Sequence, residues 1–168
     1  MEIRNKVKES SLIQMDLASF KPKCEMLSID LSKQLWKGLV LKEKEFRTWI
    51  KESHWSEFED KGVFIYCSTE AIIPTWAFML VTSSLSEVCE LSIVGTKEDL
   101  ERALIAQNIA QLALNDFKDE RVIIKGCSDI SDPAFAMSEL VKKLQPVVKS
   151  IMYGEPCSTV PIFKRKKT

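Results

Sequence analysis

Gly62-Val63-Phe64-Ile65-Tyr66-Cys67 is a short β-branched and aromatic run set between Asp60-Lys61-Gly62 and Ser68-Thr69-Glu70. Dense apolar residues with polar and glycine punctuation on both sides read as a buried strand. Two later runs share this form: Glu90-Leu91-Ser92-Ile93-Val94-Gly95 and Arg121-Val122-Ile123-Ile124-Lys125-Gly126-Cys127. Helical segments separate them. Pro74 opens the apolar stretch 75–85, since proline suits a first helical turn. Thr96 with Asp99 three residues on has capping-box spacing, and the helix it starts runs to about Asn115. Its apolar stripe is Leu104, Ile105, Ile109 and Leu112. Asp132-Pro133 supplies a cap and a first-turn proline for a last helix over 134–152. That helix carries Phe135, Leu140, Val141, Leu144, Val148 and Ile151, with Pro146 kinking or splitting it. The order β-α-β-α-β-α across residues 62–152 predicts an α/β fold, a mostly parallel sheet covered by helices.

Upstream, Met26–Leu31 reads as a strand, Lys42–Glu52 as a helix carrying Phe46, Trp49 and Ile50, and residues 53–56 as a loop. This makes an N-terminal mixed extension. No Gly/Ser linker, repeat or low-complexity tract interrupts the chain, so residues 1–168 are expected to form a single domain.

The 24 basic and 24 acidic residues balance. No long-range field then draws nucleic acid or an anionic membrane to the whole molecule, and neither is expected as a partner. The basic run Lys164-Arg165-Lys166-Lys167 reads as a solvated terminus. No apolar run reaches the roughly 20 residues of a membrane span. The first ten residues lack the apolar segment of a signal peptide, so a cytoplasmic location is expected. There the five cysteines would stay reduced.

Ligands of open α/β sheets gather beyond the carboxyl ends of the strands. Cys67 and Cys127 fall at that end of two strands, and Cys157 sits in Gly154-Glu155-Pro156-Cys157-Ser158-Thr159-Val160-Pro161-Ile162, held between prolines. Each of the three is followed by serine. If the strands are neighbours and the tail folds back, the three thiolates could hold zinc, iron or an iron–sulfur centre. Two other readings stand beside this one: a thiol-dependent sulfur carrier or transferase, and a non-catalytic interaction module with structural cysteines. Cys24 and Cys89 are assigned to packing. No dinucleotide fingerprint, phosphate loop or Cys-x5-Arg loop is present, and the single histidine, His54, lies in the loop beside Trp55.

The phrases Cys67-Ser68-Thr69-Glu70-Ala71-Ile72-Ile73-Pro74-Thr75-Trp76-Ala77, Lys125-Gly126-Cys127-Ser128 and the 154–162 stretch, with Leu41–Arg47 upstream, carry a resemblance. Over nearly the whole chain the sequence is similar to the bacterial domain-of-unknown-function family 2480. The resemblance implies that Cys67, Cys127 and Cys157 belong together. It also implies a metal- or sulfur-handling accessory role, with iron–sulfur assembly proteins as partners.

Overall fold

The computed structural model describes residues 12–126 and 129–166. In chain order its elements begin with β1 (Leu12–Asp16), β2 (Met26–Asp30), β3 (Leu35–Trp36), β4 (Val40–Leu41) and α1 (Glu43–Glu52). Next come β5 (Gly62–Tyr66), α2 (Thr75–Leu85), β6 (Leu91–Val94) and α3 (Lys97–Ala110). The chain ends with β7 (Arg121–Lys125), α4 (Pro133–Leu144), β8 (Ser150–Glu155) and β9 (Ser158–Lys164). Parallel sheets interleaved with helices, preceded by strand and 3-10 pieces, make the α/β architecture that the strand–helix order predicts. No helix among the described residues is long and apolar enough to cross a membrane.

The chain divides into two compact units, each with its own core. One unit joins Met1–Lys21 to Ile105–Thr168 and holds the sheet β1-β7-β8-β9. Its first three strands are parallel, and β9 returns antiparallel to β8. Val122, Ile124 and Ile151 meet Ile105 and Ile109 of α3 and Ala136, Leu140 and Leu144 of α4 in its core. Each of the valine, leucine and isoleucine side chains taken fully out of water contributes roughly 1.5–3 kcal/mol.

Pro22–Leu104 form the other unit, around the all-parallel sheet β2-β5-β6. Val63 and Ile65 pack with Ala77, Val81 and Leu85 of α2 and with Phe46 of α1. An aromatic chain extends that core, with ring centroids 5.1 Å apart for Phe46–Trp49 and 5.7 Å for Trp49–Trp55. The Trp55 indole N–H is satisfied by the Ile50 carbonyl at 2.8 Å.

Two expectations are corrected. Strands 62–66 and 121–125 lie in different sheets and are not neighbours. The final helix, expected over 134–152, ends at Leu144, and residues 150–155 form a strand. Pro146 explains the stop. Its ring cannot continue the helix, and the chain turns through Val147 and Val148, whose amides both bond the Leu144 carbonyl.

Candidate functional site

Beyond the carboxyl ends of β7 and β8 lies a cleft of about 600 Å³, roofed by the first turns of α4. Its geometry follows from the register. Ile124 pairs with Tyr153, so Lys125 and Glu155 leave their strands side by side. Their side chains form an ion pair of 3.0 Å across the cleft mouth. Tyr153 reaches over β7, and a Cβ on Gly126 would stand 2.8 Å from its hydroxyl, so glycine leaves room for the phenol. Gly154 is fixed for a different reason. Its φ is +119°, and a Cβ there would lie 2.5 Å from the Ser158 carbonyl oxygen across the hairpin. On the other wall, Asp132 caps α4 by accepting the Phe135 amide at 2.9 Å, which sets Ala134 and Met137 over the cleft.

A second cavity of about 400 Å³ continues from the first and shares Met137 and Tyr153 with it. Ile124, Val141, Ile151 and Ile162 make it an apolar trough between α4 and the sheet. The pair of cavities therefore offers an apolar groove that ends at a lysine, a carboxylate and a phenol.

Residues 1–165 match the family described as Protein of unknown function (DUF2480). The chain belongs to that family. No curated protein and no solved structure matches it. In this DUF2480 member the 154–162 phrase is the turn of the β8–β9 hairpin and the edge strand after it.

The three-cysteine centre is overturned. Among the described residues no group of three or more His, Cys, Asp and Glu side chains is placed to hold a metal ion. The expected zinc, iron or iron–sulfur cofactor thus finds no such group among the described residues, and the accessory role built on that centre goes with it. The tail does double back, but as a hairpin whose two-residue turn, Pro156-Cys157, exposes the Cys157 thiol. Cys67 follows β5 in the Pro22–Leu104 unit, half-buried, with Sγ 3.4 Å from Thr69 Oγ1 and 3.5 Å from the Thr69 carbonyl oxygen. Cys127 lies outside the described residues. Cys24 and Cys89 are half-buried, and burial pushes the Cys89 thiol up. His54 is exposed at the start of a 3-10 turn.

The sequence reading does not single out Tyr153, because it extends the last helix to residue 152 and so leaves no strand to carry that side chain to the cleft. A usable signal was present. Ile151-Met152-Tyr153 is a short apolar run, and Pro156-Cys157 separates it from a second run containing Val160 and Ile162.

At the carboxyl ends of β2 and β5 a polar knot ties the other sheet. Asp30 Oδ1 accepts the amides of Ser32 and Ser68, each at 3.0 Å, and the Ser68 hydroxyl bonds that of Ser32 at 3.0 Å. Removal from water pushes the Asp30 carboxyl up, but hydrogen bonds from Ser68 and Ser32 outweigh it and hold it at about 2.

Proposed function

We propose that the paired cavities of the β7–β8–α4 cleft bind a small amphipathic molecule. Its apolar body would lie against Met137, Val141 and Ile162, and its polar head at Lys125, Tyr153 and Glu155. The observation that carries this reading is the sharing of Met137 and Tyr153 by the two cavities, which joins an apolar trough to a charged mouth. Volumes of about 400 and 600 Å³ fall within the usual size of small-molecule sites, which combine apolar walls with a few polar groups. Crevices at this end of parallel strands are also where α/β folds commonly place ligands.

The test uses 1-anilinonaphthalene-8-sulfonate as probe, with decanoate and decylamine as competitors. Saturable fluorescence with one site per chain is expected, displaced by at least one competitor. Val141→Glu should weaken the probe about tenfold or more, because it buries an unpaired charge in the trough. Absence of saturable binding, or affinity unchanged in Val141→Glu, would overturn the reading. We also place the protein in the cytoplasm, a reading supported by Cys24, Cys67, Cys89 and Cys157 all standing as free thiols. Alkylation in intact cells followed by mass spectrometry checks it: recovery of these cysteines as disulfides would exclude that compartment.

A further inference from the structure

The hairpin made by β3 and β4 sorts its side chains by pairing. Leu35 and Leu41 form one cross-strand pair and turn inward onto the core of their unit. Trp36 and Val40 form the other and turn outward. The connection is Trp36-Lys37-Gly38-Leu39, closed by the Leu39 amide on the Trp36 carbonyl at 3.1 Å. Lys37 and Gly38 both have positive φ, 53° and 70°, the mark of a type I′ turn. Leu39 at its tip is 70% exposed, Val40 54% and Trp36 45%. A Cβ on Gly38 would meet nothing within 4 Å, so the tip projects. None of these three side chains is buried, and the inward pair supplies the contact with the core.

Cations surround them. The ammonium groups of Lys37 and Lys42 each stand 4.5 Å from the centroid of the Trp36 ring. Lys33 is exposed on the 3-10 turn Leu31–Gln34 just before β3. Glu45 takes part of the Lys42 charge at 3.1 Å, and Glu43 is engaged by Arg47 at 2.9 Å.

We propose that this hairpin tip is an interfacial anchor for anionic phospholipid surfaces, with Trp36, Leu39 and Val40 entering the headgroup layer and Lys33, Lys37 and Lys42 meeting lipid phosphates and carboxylates. Peripheral attachment of this kind needs two signals, an apolar insert and cationic contacts, and the hairpin carries both. Tryptophan also favours that boundary, where its ring is buried and its N–H stays wet. An acidic protein partner fits the shape less well. Three residues on a convex tip fall far short of the about 800 Å² per side that a stable protein interface needs, whereas a bilayer accepts a small wedge.

The experiment is co-sedimentation of the full chain with phosphatidylcholine vesicles, with and without about a third phosphatidylserine, at low and physiological salt. Binding is expected only with phosphatidylserine and should weaken with salt. Each of Lys37→Glu and Lys42→Glu should lower partitioning about fivefold or more, and Leu39→Glu should abolish it. Val160→Glu, an exposed apolar position on β9, should leave it unchanged. Thermal melts confirm that each variant folds, and Leu39→Ser replaces Leu39→Glu should the latter fail. No sedimentation with anionic vesicles, or sedimentation insensitive to the Leu39 and lysine variants, would overturn the proposal. So would hairpin-dependent binding to soluble polyglutamate without vesicle binding, which would assign the tip to an acidic protein.

Discussion

Asp30 Oδ1 receives amides from the ends of two different strands, so one carboxylate oxygen locks β2 to β5 where both leave the sheet. Its pKa falls on folding from 3.8 to about 2. A depressed carboxylate stabilises the fold fully above its unfolded value and loses that contribution as pH falls through the folded one. Asp30→Asn is therefore expected to cost about 1 kcal/mol at neutral pH, after allowance for the partial solvent screening of this side chain. In urea titrations from pH 7 downward, the gap between wild type and variant should hold to about pH 4 and close towards pH 2. A gap constant with pH would show that only the shape of the amide contacts matters. The same scale shows what single residues can and cannot announce in a sequence. Thr96 and Asp99 declared their capping box, and the reciprocal bonds are present at 2.9 and 3.2 Å. The prolines that hold Cys157 announce a rigid segment, but nothing local to it reveals where its thiol points.

At the scale of elements, α4 was legible at its start and illegible at its end. Asp132-Pro133 fixed the first turn because cap and proline chemistry are local. The end was hidden by the core itself. Leu144, Val148 and Ile151 follow helical spacing in sequence and all reach one apolar cluster, yet only Leu144 is helical. Val148 arrives after a turn and Ile151 on β8, so a helix stopping and a strand starting satisfied the same hydrophobic period. Because the cap places α4 over the cleft, Asp132→Ala should lower unfolding free energy by about 1 kcal/mol. Asp132→Asn, which keeps an acceptor for the Phe135 amide, should recover most of that loss. Denaturant midpoints of the two variants check this, and equal losses would mean that the carboxylate acts through its charge instead.

For the whole molecule, the strand–helix order told the class of fold but not which strands are neighbours, because adjacency depends on contacts far apart in sequence. That distance has a kinetic consequence. β1 pairs with β7 in the register Leu12↔Arg121, so β1 joins its sheet only after every residue of Pro22–Leu104 has been looped out. The other sheet needs a shorter closure, Met26↔Gly62 for β2 with β5. Loop-closure entropy scaling with the logarithm of length makes the first pairing costlier by about 1 kcal/mol, roughly fivefold in rate where closure limits folding. The chain carries its own reporter for separating the two events. All four tryptophans, at positions 36, 49, 55 and 76, lie in Pro22–Leu104. During refolding from urea, tryptophan emission should reach its native value before the amides of β1 and β7 become protected in pulsed hydrogen exchange. Simultaneous recovery would mean that the long closure is made before the shorter sheet is complete, and the entropic ordering would then not govern this fold.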